Sequence, residues 1–122
     1  MRGIRGAITV ENNSKAEIMA ATKMLVEQML IANEVATVDI GAGIFTATDD
    51  LTACFPARGA REIPGFELVP LFDARQMDVD DGLPMCIRAL LLVETDLMQQ
   101  ELQHIYLKGA VALRPDLAKT DE

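Results

Sequence analysis

The stretch Leu83 to Val93 (LPMCIRALLLV) constrains the fold of this chain more than any other, because it is almost wholly apolar and carries one charge, Arg88. A run this apolar is a strand buried on both faces or a buried helix segment, and periodicity alone does not separate them. Its length and the flanking Gly82 and Pro84 favour a central strand. A guanidinium keeps its proton inside a protein, so Arg88 must be paired or face a polar cavity. Two readings are open at this stage. One is a structural ion pair with an acid such as Glu94 or Asp96. The other is an anion site, where a rigid fork grips a carboxylate or meets an oxygen that gains charge during a reaction.

The rest of the chain narrows the setting. At 122 residues it is one domain spanning 1–122, and half of its residues are hydrophobic, enough for a single core. No segment has the ~18 consecutive apolar residues of a membrane helix. The start, MRGIRGAITVE, has no apolar core of signal-peptide length, so a cytoplasmic protein is expected. Cys54 and Cys86 lack a CxxC partner and are expected to be buried free thiols. With one histidine, His104, a histidine-based metal site is not expected. A net charge of −8 disfavours nucleic acid and makes binding of any anion depend on a local basic cluster. Such clusters are available. Arginines stand at positions 2, 5, 58, 61, 75, 88 and 114, all outside the long helix, on segments of the kind that build carboxylate recognition.

In chain order, Gly3 to Val10 suits a strand, on which Arg5 is either a surface charge or a second anion donor. Ser14 followed by Glu17 is a capping box, and Ile18, Ala21, Thr22, Leu25, Met29 and Leu30 recur at helical spacing to about Asn33. Met19, Met24 and Met29 are read as core filling. Ile40 to Ala47 is a second strand, Thr48 to Asp50 a turn or a helix cap, and Leu51 to Phe55 a short apolar turn of helix. Pro56 opens another helix that places Arg58 and Arg61 on one face, which is either a solvated charged face or a site. Phe66 to Phe72 is expected as a third strand, Asp73 to Asp81 as a polar loop, and Thr95 to Glu101 as a loop with weak helical character. His104 to Leu107 should be extended, with His104 read as structural and Tyr106 as either a surface-tip aromatic or a site residue. Gly109 to Leu113 is expected as a last strand closed by Arg114, Pro115 and Asp116, with a mobile tail from about 118.

These elements make an α+β fold: a mixed sheet of about five strands with one long helix and short helices. A helix on one face leaves the other sheet face open, so oligomerisation through sheet faces or edges is expected.

The segments RGIRGAITVE, TDDLTACFPARGAR, VPLFDARQMDV, Cys86 to Arg88 (CIR) and HIYLKGAVALRPDL together resemble the monofunctional chorismate mutases of the trimeric, Bacillus-type class, over nearly the whole chain. The resemblance implies a homotrimer whose sheets form a pseudo-α/β barrel, with active sites between neighbouring chains. It implies rearrangement of chorismate to prephenate without metal, cofactor or covalent intermediate. Carried over residue by residue, it implies that Arg5, Arg88 and Tyr106 hold the enolpyruvyl side of the substrate, with Arg88 nearest the ether oxygen. Phe55, Ala57, Arg58 and Arg61 would come from the adjacent chain. Phe72, Asp73 and Gln76 would line the ring hydroxyl, and Leu113 would belong to the wall.

Three positions depart from that family's pattern. Arg58 stands where lysine is frequent, Gln76 where glutamate is usual, and Asp73 where an uncharged residue, often cysteine, is usual. The expectation is that the carboxylate has moved to Asp73, on the same side as Gln76 and ionised beside Arg88. Two other readings remain: a non-catalytic carboxylate-binding trimer, and another small enzyme on a similar trimeric scaffold, such as an imine hydrolase. A lyase acting on isochorismate fits less well, since such enzymes are usually all-helical.

Overall fold

Ser14 starts the long helix as its side chain predicts. Its hydroxyl accepts the Glu17 N–H at 3.1 Å and caps α1 (Lys15–Asn33). The reciprocal half of the capping box is redirected. The Glu17 carboxylate takes the backbone and side-chain N–H groups of Asn12, at 3.1 and 2.8 Å. At the far end Glu34 adopts a left-handed conformation and its N–H returns to Ile31, closing the helix where the sequence indicates.

In the computed structural model, which describes residues 1–113, α1 covers one face of a five-stranded sheet. The strands are β1 (Arg2–Thr9), β2 (Ile40–Ala47), β3 (Leu71–Arg75), β4 (Cys86–Val93) and β5 (Ile105–Leu107), in the spatial order β3-β2-β4-β1-β5. β4 runs antiparallel to both its neighbours, while β2–β3 and β1–β5 are parallel, so the sheet is mixed and β4 is its centre. Side chains alternate along β4. Ile87, Ala89, Leu91 and Val93 are buried together with Ile4, Ile8, Leu25, Met29 and Phe45. Arg88, Leu90 and Leu92, on the opposite face, are only half-buried. The apolar run is therefore sealed on one face of the chain rather than both, because one helix covers one face.

Several boundaries differ from those expected, each for a local reason. The strand at the centre begins at Cys86, since Met85 has φ 53°, which breaks extension. Phe66 to Phe72 divides: Phe66–Leu68 is a 3₁₀ turn that buries Phe66, and β3 starts after Pro70, which has no N–H for a ladder. β3 then extends to Arg75, into the stretch expected as loop. Leu51 to Phe55 forms no helix. Gly109 to Leu113 is not a strand but part of a 3₁₀ helix, Lys108–Leu113. Lys108 turns the chain at φ 54°, and Thr9 Oγ1 takes the Gly109 N–H at 2.9 Å. Both cysteines are free, Cys86 buried and Cys54 half-buried. Among the described residues no helix is long and apolar enough to cross a membrane. Arg114, Pro115, Asp116 and the tail from about 118 lie outside the described residues.

Two contacts set the positions of functional segments. The short helix α2 (Pro56–Ala60) packs on α1 with Gly59 directly against the Met19 backbone, where a Cβ has no room. The buried Asn33 amide clamps Gln103, donating to its carbonyl at 2.9 Å and accepting its N–H at 2.7 Å. The approach to β5 is thus tied to the end of α1.

Candidate active site

The register of the sheet assembles one group of residues on the face away from α1. Ala7 and Thr46 flank Arg88, Leu90 stands between Arg5 and Ile44, and Tyr106 pairs with Ala7. Arg5, Thr46, Arg88 and Tyr106 line a cavity of about 400 Å³ together with Gln76 and Leu113. Arg88 stands on a strand hydrogen-bonded along both edges, so its backbone is fixed. Its Nε is buried and has no hydrogen-bond partner among the described residues. The ion pairs there, Met1–Glu94 and Arg75–Asp49, leave Arg88 out, so the structural pairing with Glu94 or Asp96 does not form. A buried, unpaired donor on a cation costs free energy unless an anion or polar ligand completes it.

No carboxylate shares the cavity with Arg88 among the described residues. Burial pushes the Cys86 thiol up, although the adjacent Arg88 guanidinium pulls the other way. Cys86 therefore stays a thiol at neutral pH and leaves the arginine charge uncompensated. Gln76 Oε1 accepts from Thr46 Oγ1 at 2.9 Å, and the Gln76 N–H bonds to Ala47 O at 3.1 Å. Tyr106 is buried against Ala7, Cys86 and Ala110, so it is not a surface-tip aromatic.

A second group lies elsewhere on the chain. Phe55, Arg58 and Asp73 line a larger cavity of about 720 Å³ together with Asp49 and Arg75. Asp73 Oδ1 accepts the Ala57 N–H at 2.9 Å, at the start of α2. Burial raises the Asp73 carboxyl above the usual range, partly offset by that hydrogen bond and by the Arg61 charge. Asp73 pairs with Phe45, whose side chain is in the core, and so stands on the opposite sheet face from Arg88. Within one chain the expectation that Asp73 shares a side with Gln76 and lies beside Arg88 therefore fails. Strand pairing continues through residue 75, so no 3₁₀-like turn brings positions 73 and 76 together. Arg75 makes a two-pronged pair with Asp49, at 3.1 and 2.8 Å, which holds β3 to the 48–50 turn.

Phe55 and Phe72 are exposed at 66% and 77%, high values for aromatic side chains. Arg58 and Arg61 are exposed as well, and Ala57, in α2, is buried. Of the eleven expected site residues, eight fall into two sets on one chain. Arg5, Gln76, Arg88, Tyr106 and Leu113 share a cavity, Phe55, Arg58 and Asp73 share another, and Ala57, Arg61 and Phe72 line neither. Sequence reasoning missed Thr46, although it lies two residues beyond Ile44 on a recognised strand, a period that puts both on one face.

The family model described as chorismate mutase type I matches residues 1–117. The chain belongs to the type I chorismate mutases. Among curated relatives, chorismate mutase AroH of Bacillus subtilis is 43% identical over 98% of this chain and 94% of its own length. Chorismate mutase AroH of Thermus thermophilus is 49% identical over 96% of each chain. A solved chorismate mutase from Clostridium thermocellum superposes with a TM-score of 0.89 at 39% identity, covering 92% of this chain and 99% of that one.

Proposed function

We propose that this chain is a cytoplasmic chorismate mutase working as a homotrimer, with each site formed by the Arg88 cavity of one protomer and the Phe55–Arg58 cavity of its neighbour. One observation carries the reading: a strand-borne guanidinium with a buried, unpartnered Nε faces a cavity also lined by Arg5 and Tyr106.

Chorismate carries two carboxylates, and its enolpyruvyl arm must fold over the ring before the new C–C bond can form. Arginines from two protomers, Arg5 and Arg88 on one side and Arg58 and Arg61 on the other, suit a dianion bound in that folded shape. Phe55 and Phe72, exposed on the single chain, would cover the ring. As the C–O bond breaks ahead of C–C formation, negative charge grows on the ether oxygen. The charge of Arg88 stabilises that oxygen more in the transition state than in the ground state. Gln76, held by Thr46, offers a neutral contact for the ring hydroxyl, and Leu113 forms part of the wall. Ala57, through its N–H, holds the Asp73 carboxylate at the start of α2. Asp73, which lines the cavity with Phe55 and Arg58, would join from the neighbour's side rather than from the Arg88 side. Every bond change is internal to the substrate, so no nucleophile, metal or cofactor is needed.

Incubation of the purified protein with chorismate tests the reading. Loss of chorismate absorbance with matching appearance of prephenate is the expected result. Calorimetric binding of chorismate without turnover would identify a binding module instead.

A further inference from the structure

We propose that His104 is a positioning residue, whose imidazole sets the backbone at Arg5 and through it the reach of the Arg5 guanidinium. The parallel pairing of β1 with β5 starts at Gly6 opposite Ile105. One residue earlier the Arg5 N–H goes to His104 Nδ1 at 3.0 Å. A backbone N–H only donates, so Nδ1 is the acceptor there and carries no proton. The imidazole thus extends the ladder by one bond past its last backbone pairing, at the residue that bears the site arginine. Water could satisfy the same N–H, but it would not fix the direction in which β1 carries Arg5.

The backbone that carries the imidazole is anchored next to it. Its chain neighbour Gln103 is gripped through both N–H and C=O by the buried side chain of Asn33. A rigid connection therefore runs from the end of α1 through Gln103 and His104 to Arg5. Arg5 is exposed and long, so a small rotation at its Cα moves its guanidinium by a much larger distance. Holding the backbone removes part of the freedom that binding must otherwise remove. Chorismate keeps its carboxylates through the reaction, so loss of this alignment weakens ground state and transition state alike and appears in KM.

The inference rests on the reading that Arg5 holds a substrate carboxylate, and the experiment separates the two. Steady-state kinetics with chorismate are measured for His104→Ala, His104→Phe, His104→Asn and Arg5→Ala, and for His104→Ala combined with Arg5→Ala, with thermal melts confirming folding. His104→Ala and His104→Phe, which lack the acceptor, should raise KM about 3- to 10-fold with kcat changed less than about 2-fold. His104→Asn, whose amide oxygen can take the place of Nδ1, should restore most of the loss. In the Arg5→Ala background, His104→Ala should add nothing further. A normal KM in His104→Phe, an Asn variant as impaired as the Phe variant, or additive losses in the double variant would each overturn the positioning role while leaving that of Arg5 intact. A normal KM in Arg5→Ala would overturn the reading of Arg5, and this inference with it.

Discussion

Arg88 and Asp73 are both charged and both partly buried, yet their surroundings give the two charges opposite meanings. Arg88 Nε lacks any partner among the described residues and no acid lines its cavity there, so its charge is left to act on a ligand. Arg88→Ala should lower kcat by about 10² to 10³, a loss of about 3 to 4 kcal/mol by analogy with removal of an oxyanion donor. Arg88→citrulline, made by semisynthesis, should recover little of that loss, because it keeps hydrogen bonding and drops the charge; full kcat there would refute the electrostatic role. Asp73 is the reverse case, since burial disfavours its ionised form. A carboxyl whose folded-state pKa lies above its unfolded value binds its proton more tightly in the fold. Its contribution to stability is therefore present at low pH and is lost as pH rises from about 4, the unfolded value, through the raised one. Asp73→Asn keeps an acceptor for the Ala57 N–H and removes the titration. The melting temperature of the parent minus that of Asp73→Asn should fall over this pH range, and a flat difference would show that Asp73 is no more disfavoured as an anion in the fold than outside it.

Among the elements, α2 depends on a close approach to the α1 backbone that leaves no room for a Cβ. Gly59 touches the Met19 backbone, so Gly59→Ala should force α2 off α1 at a cost of about 1 to 3 kcal/mol, a lowering of Tm by several degrees. Because α2 carries Arg58, KM for chorismate should rise in the same variant; an unchanged Tm and KM would mean that α2 has slack. The elements that could be read from sequence are those where pattern and chemistry agree: β1, α1 with its Ser14 cap, β2, the Pro56-opened α2, the core of β4 around Arg88, and β5. Elements that failed are short apolar runs, where helix and strand look alike. GAVAL became 3₁₀ because Lys108 turns the chain and Ala110 finds burial against Tyr106 without extending β5. FELVPLF divided at Pro70, and the strand that followed ran past the acid taken as the start of a loop. The same boundary decided the fate of Asp73. A residue in a strand alternates faces, whereas a loop was free to set positions 73 and 76 side by side. The arginines of the site were legible as residue types, and the separation of Arg5 and Arg88 from Arg58 came from the family resemblance rather than from spacing, since it depends on register.

For the molecule as a whole, the division of these residues suits an assembly in which every chain lends one half-site to each neighbour. Mixing of subunits tests this directly. Arg88→Ala and Arg58→Ala chains, each nearly inactive alone, should regain about a quarter of wild-type activity when unfolded together and refolded in equal amounts, the share of sites that receive both intact halves at random. No recovery, or an active monomer by light scattering, would place the whole site on one chain.

The two cavities also differ in how their residues are attached to the protein. Arg88 rides on the middle strand of five, paired along both edges, so its amide should exchange with solvent only when the entire domain opens. Phe55 precedes a helix of five residues and follows a stretch with no regular structure. Under mild heating this half is expected to loosen first while the arginine stays in place. Early loss of activity would then be reversible on cooling, and deuterium would enter residues 48–61 long before it enters β4.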